Sequence, residues 1–311
     1  MLERKWNEEI YEKKKDKKEE YSLHNAKLCE KIADESFLFN YNEAIYWSKK
    51  GIEIREEIYG NKSIKNTKYY EKLVEFLVEK GSYKEAIKWN KKSYNVKKKA
   101  NLSELQIIDN IIMFSRIYFY ERLNNKTNNE DEILKYADMA YEIMEKYSKL
   151  LGEKRRLKIY LRLIQCYGDY NFLVPEEKRK FRRFNFCFNE ASRLTQSLYT
   201  ENSIEMAKIY QYQIDYKESL ENGDRTGIEE ERNILGKIFL IYLEKEGMNS
   251  EKARWIFGRI WHSWKGEEAI IEGAKWVYEN LSSQYIRNIM EDFACDIREK
   301  IEEQMKLWNN K

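Results

Sequence analysis

The chain has 311 residues, of which 57 are Lys or Arg and 54 are Asp or Glu. Its formal charge of +3 is too small to mark a nucleic-acid or membrane binder by itself. One proline, 12 glycines and 36% charged residues are the composition of long solvated helices with few breakers, which sets the expectation of an all-α fold.

The N-terminus, MLERKWNEEIYEKKKDKKEE, has no apolar core of the kind a signal peptide needs. No stretch approaches about 18 uninterrupted apolar residues, so a cytoplasmic location without a membrane partner is expected. Residues 1–21 read as a charged helix anchored by Leu2, Trp6 and Ile10. Cys29, Cys166, Cys187 and Cys295 have no CxxC spacing, which suggests neither a zinc site nor a redox motif and fits buried free thiols.

From residue 22 the chain repeats itself. YNEAIYWSKKGIEI at 41–54 returns 42 positions later as YKEAIKWNKKSYNV at 83–96, with seven of 14 positions identical. In the first copy Ala44, Ile45, Trp47, Gly51 and Ile52 fall at helical spacing after the turn-prone Asn40–Asn42, and in the second Gly81 stands at that turn. Upstream of Gly81, TKYYEKLVEFLVEKG places Tyr70, Leu73, Val74 and Leu77 on one face, so a unit is helix, tight turn, helix. A single pair cannot bury its apolar stripe, and stacking of successive pairs is the usual solution.

The pattern Gly81-x-Tyr83-x-Glu85-Ala86, preceded by Leu73 and Val74 and followed by Ser93, resembles a tetratricopeptide repeat. The 42-residue spacing and the IEIREEIYG run at 52–60 are similar to the longer variety of kinesin light chains and their bacterial relatives. The resemblance implies a superhelical solenoid of antiparallel helix pairs, about five to six units with the repeats over residues 22–248 and a degenerate one within 249–311, and a groove lined by the first helices. Its relatives include adaptors, regulatory subunits of separate enzymes and members of bacterial signalling or defence assemblies. Bacterial peptide-pheromone regulators of this type carry an N-terminal helix-turn-helix, for which residues 1–40 have no convincing pattern.

Further copies follow. DEILKYADMAYEI at 131–143 sets Ile133, Tyr136, Ala140 and Tyr141 where Ala86, Trp89, Ser93 and Tyr94 stand, a third second-helix. A fourth unit is expected over 153–200, with its turn at Gly168-Asp169-Tyr170 and its second helix starting at Pro175. A fifth, 203–246, turns near Asn222-Gly223-Asp224 and has Ile234, Leu235, Ile238, Phe239 and Tyr242 in its second helix. Residues 249–311 hold Trp255, Trp261, Trp264, Trp276 and Trp308, a degenerate sixth copy in GEEAIIEGAKWVYENL at 266–281, and a capping helix marked by Ile286, Ile289, Met290, Phe293, Ile297 and Ile301.

Chemistry is sparse. His24 and His262 are the only histidines, and no HExxH, nucleophile elbow, GxxxxGK[ST] or GxGxxG occurs, so no enzyme activity, cofactor or metal is expected. In the fourth unit Leu157, Tyr160, Leu161 and Ile164 take the packing positions. That leaves Arg155, Lys158, Arg162 and Gln165, at spacings of 3, 4 and 3, on another face, which in a solenoid of this type lines the groove. Three cations there suit the carboxylates of an acidic protein or peptide segment. Residues 149–195 carry 12 basic and five acidic side chains, against six and 11 in 201–246. A secondary basic and aromatic surface is expected from Arg179, Arg182 and Arg183 together with Trp261 and Trp264, and the alternative partner is a nucleic acid on the basic 149–195 region, where Phe181, Phe184 and Phe186 interleave with arginines. The first-helix face of the second unit, Lys68, Glu71, Glu75 and Glu79, is mixed to acidic, so the groove is not uniformly basic. KKSYNVKKKAN at 91–101 reads as a second-helix end whose lysines complement the helix dipole.

Overall fold

The structure, a computed structural model, describes residues 22–220, 228–247 and 251–263, and residue 306. The expectations for residues 1–21, the Asn222-Gly223-Asp224 turn, Cys295, the 266–281 run and the capping helix, with Trp264, Trp276 and Trp308, lie outside the described residues. Every regular element among the described residues is helical. In chain order the α-helices are α1 (Leu23–Phe37), α2 (Tyr41–Tyr59), α3 (Thr67–Glu79), α4 (Tyr83–Lys99), α5 (Glu104–Asn125), α6 (Glu130–Tyr147), α7 (Glu153–Leu173), α8 (Phe181–Leu198), α9 (Ile204–Leu220), α10 (Ile228–Glu246) and α11 (Glu251–Ser263).

Local chemistry sets the helix ends. Asn40 Oδ1 accepts from the backbone N–H groups of Asn42 and Glu43 at 3.1 and 3.3 Å, satisfying two orphan donors at the start of α2. Ser103 and Gln106 form a capping box at the start of α5. The turn after α3 is a Schellman motif: Gly81 takes φ +81°, its N–H donates to Val78 O, and Ser82 N–H donates to Leu77 O. Asn101, at φ 54°, ends α4 in the same way, with Leu102 N–H donating to Lys97 O.

Consecutive helices pack in pairs, α1 with α2, α3 with α4, α5 with α6, and α9 with α10, as in a helical repeat fold. The chain divides into two compact units at Phe188–Asn189, inside α8. In the first unit each second helix also meets the next first helix, and the first helices touch one another, α3 with α5 and α5 with α7. One continuous core runs from Ala26, Cys29 and Ile32 through Tyr70, Leu73 and Leu77 to Ile117.

The second helices α2, α4, α6 and α8 share a register. Their fourth residues, Ala44, Ala86, Ile133 and Phe184, are all buried. Their eleventh residues, Gly51, Ser93, Ala140 and Ala191, are small and buried as well. Gly51 explains the size limit, because a Cβ there would stand 3.2 Å from Cys29 Cβ and 3.3 Å from Ala26 O, where α2 crosses α1.

The fourth pair departs from expectation. α7 runs unbroken to Leu173, so Gly168-Asp169-Tyr170 is helix and not turn. Tyr167 and Tyr170 continue its buried stripe, and that burial outweighs the roughly 1 kcal/mol that glycine costs inside a helix. Gly168 instead lets α8 approach, with the Phe184 ring 3.5 Å from where a Cβ would sit. Pro175 opens only a single 3-10 turn, Glu176–Lys178, and Arg179 is extended, so α8 starts at Phe181 and not at Pro175. Asn171 Oδ1 accepts from Lys180 N–H at 2.6 Å and pins this connection to α7. On α7 Leu157, Tyr160 and Ile164 are buried as expected, while Leu161 is half-buried and Leu163 joins the core.

In the second unit Ile234, Leu235, Ile238, Phe239 and Tyr242 are the buried face of α10. α11 packs on that helix, with the Phe239 and Phe257 rings 5.7 Å apart. Cys29, Cys166 and Cys187 are buried free thiols.

Candidate partner-binding face

Arg155 and Arg162 are seven residues apart, two turns along α7, and therefore project from one face. The carboxylate that meets them comes from α5. Arg155 Nη2 donates to Asp109 Oδ2 at 2.6 Å, and Arg162 Nη1 donates to Asp109 Oδ1. One carboxylate thus holds two guanidinium groups, each through one of its five N–H donors. Burial alone would push the Asp109 carboxyl up, but the Arg155 hydrogen bond and the charges of Arg162, Arg155 and Lys158 hold it below its ordinary value. It is therefore ionised at neutral pH. Lys158 is exposed beside this cluster, and Gln165 is half-buried one turn beyond it.

The seven-residue interval continues in both helices. Asp109 leads to Arg116 on α5, and Arg155 and Arg162 lead to Asp169 on α7. Burial raises Asp169 from 3.8 to about 7, against the opposing pull of Arg116. Asp169 as a residue is half-buried, but its Oδ2 is sealed from solvent without a hydrogen-bond partner, as is Arg116 Nε. On α3, burial raises the Glu75 carboxyl while Lys72, Arg116 and Arg162 oppose it. Lys72 in turn pairs with Asp34 of α1. A ladder of alternating charges thus crosses the first helices, and its excess of cations lies at the α5–α7 end.

The other arginines have three different surroundings. Arg179 donates to Val174 O of its own connection at 3.4 Å and lies 5.8 Å from the Phe181 ring. Arg182 is exposed. Arg183 pairs with Asp138 of α6, 5.0 Å over the Tyr141 ring, and Tyr167 donates to the same carboxylate at 2.9 Å. Arg183 thereby belongs to the packing of α6, α7 and α8. Of the phenylalanines between and after these arginines, Phe184 is core, whereas Phe186 is 42% exposed with its ring edge-on to Tyr141 and Tyr160. The Trp261 side chain and Trp264 lie outside the described residues.

Sequence spacing identified the α7 cations but not Asp109, which is 46 residues before Arg155 on a helix buried on several sides. Its only signal is the seven-residue interval to Arg116.

Among the described residues no group of three His, Cys, Asp or Glu side chains could hold a metal ion. Nor is any helix among them long and apolar enough to cross a membrane. No protein-family model matches the chain, and no curated protein matches it.

Proposed function

We propose that this chain is a non-enzymatic scaffold that binds an acidic segment of a protein or peptide on the first-helix face carrying Arg155, Lys158 and Arg162. The helix pairs α1–α2 to α9–α10 are, in this reading, five tetratricopeptide-like units of a solenoid. The small residue at the eleventh position of α2, α4, α6 and α8 and the contacts of α3 with α5 and α5 with α7 support it for the first four units. By resemblance, such a scaffold serves as an adaptor or as the regulatory subunit of a larger signalling or defence complex.

The observation that carries the reading is the two-to-one cluster at Asp109. Two guanidinium groups and Lys158 against a single carboxylate leave an excess of two positive charges. Asp109 fixes the arginines without exhausting their donors, so that planar N–H pairs remain for incoming carboxylates. The partner's affinity comes from that prearranged charge, and a salt-sensitive complex follows. The alternative, a nucleic-acid-associated subunit, draws on exposed Lys178 and Lys180 in the α7–α8 connection and Arg182 in the first turn of α8.

The test is capture of the native chain with its partners under nuclease treatment, with a carbodiimide, which activates a carboxylate for amide formation with a lysine amine, and mass spectrometry. The expected product joins Lys158 to an acidic stretch of a protein. Loss of all captured material on nuclease treatment would instead support the nucleic-acid reading.

A further inference from the structure

The basic run at 91–101 is left unused by the reading above. On α4, Lys84, Lys88, Lys91, Asn95 and Lys98 follow at spacings of 4, 3, 4 and 3, which puts them on one face, and all five are exposed. Two other lysines of this helix are committed: Lys92 pairs with Glu56 at 2.5 Å and Lys97 with Glu71 at 2.6 Å. Among the described residues Lys84, Lys88, Lys91 and Lys98 have no carboxylate partner. Dipole compensation accounts for Lys98 in the last turn, but not for Lys84 and Lys88 near the start of the helix.

Beside this stripe, α4, α5 and α6 enclose a cleft of about 260 Å³ with Lys91 at its edge. Tyr94, Phe114, Tyr118, Tyr136 and Met139 line it. Lys98 lies 5.8 Å over the Tyr94 ring, and Lys135, paired with Glu132 at 3.1 Å, lies 5.2 Å over Tyr136. The cleft is smaller than the roughly 300–1,000 Å³ of pockets that take whole small ligands, so it is sized for one side chain. Much of its aromatic face area is already in use: Phe114 stacks on Tyr136 at 4.8 Å, Tyr118 stacks on Tyr136 at 5.9 Å, and Tyr94 meets Phe114 edge-on. A nucleic-acid base needs an open ring face to stack on. An apolar side chain needs only the ring edges and the Met139 thioether found here.

We propose that this edge of α4 is a second docking surface, which seats one large apolar side chain of an acidic peptide in the tyrosine cleft while the peptide's carboxylates meet Lys91 and Lys98. The charge complementarity is one-sided, because no carboxylate among the described residues lines the cleft and Glu132 beside it is already paired with Lys135. This surface shares no residue with the Asp109 cluster, so either can fail without the other.

The test is fluorescence anisotropy at low salt with a labelled Glu-rich peptide carrying one central Phe. Comparison probes are the same peptide with Phe→Ser, the Glu→Gln peptide, and an oligothymidylate of the same length. Lys91→Glu with Lys98→Glu, both at exposed positions, should weaken the Phe-containing probe at least about tenfold. Met139→Trp, which fills the cleft, and the Phe→Ser probe should do the same. In the Arg155→Glu, Lys158→Glu, Arg162→Glu variant, whose cleft is intact, the Phe-containing probe should still bind at least about tenfold more tightly than the Phe→Ser probe. Absence of binding to the Phe probe, equal affinity for the lysine double variant, or tighter binding of the oligothymidylate would each overturn the proposal.

Discussion

Lys91 and Lys98 on α4 and Arg155 and Arg162 on α7 are each a pair of cations seven residues apart on one helix, and their electrostatic situations are opposite. The arginines meet Asp109 from a neighbouring helix, while the lysines meet no carboxylate among the described residues. Spacing along one helix therefore says which side chains share a face. What opposes that face says how much of their charge is committed to the fold and how much is left for a partner. The residue types agree with the division, since a guanidinium is planar and weakly hydrated and suits a half-buried pair, whereas an ammonium favours water.

Both faces hang on the same helix-pair frame, and the largest effect comes from disturbing it. Ala86 is fully buried where α4 meets α3, so Ala86→Phe should lower the unfolding free energy in urea by about 1–3 kcal/mol. An unaltered melting curve would break the register. Next in size is Asp109→Ala, which leaves two arginines without their shared acceptor. With side chains 20–36% exposed, solvent screens part of the loss, and about 1–2 kcal/mol is expected. The corresponding change on α4, Lys91→Glu with Lys98→Glu, should stay within about 0.5 kcal/mol. Equal losses at the two sites would erase the contrast.

Acid titration sharpens the same comparison. Asp109 has a depressed folded value, so its contribution is present above its unfolded value of 3.8 and is lost as pH falls through the folded one. Asp169, raised to about 7, has the opposite sign: its favourable term is complete below 3.8 and is lost as pH rises through about 7. Asp169→Asn should therefore flatten the fall in stability between about pH 4 and 7, while Asp109→Asn should flatten the acid limb below it. Urea midpoints measured from above about pH 7 down through the acid limb check both signs.

The helix pairs of the first unit were legible because their packing signal is local. Ala44 and Gly51 are small where α2 crosses α1, and the same register recurs at Ala86 and Ser93. Capping was legible for a similar reason, since Asn40 and Gly81 act within a few residues of themselves. The turn placed at Gly168 was misread because glycine before an Asp is a turn signal only where the chain leaves the core. Here Tyr167 and Tyr170 keep it in. Pro175 misled likewise, because a good first helical turn does not guarantee a second one. At the candidate site the cations could be read from spacing within α7, whereas Asp109 could not, because it reaches them only through tertiary packing of a helix with no single polar face.

The central claim is that the Arg155, Lys158 and Arg162 face holds an acidic protein segment. It is tested most directly by the affinity of the nuclease-treated, purified partner for the wild type and for the Arg155→Glu, Lys158→Glu, Arg162→Glu variant. Retained helix content in the variant is required, and the buried Leu157, Tyr160 and Ile164 are untouched. The account predicts at least about tenfold weaker binding for the variant, with raised salt reproducing part of that loss in the wild type. An unchanged dissociation constant would contradict it.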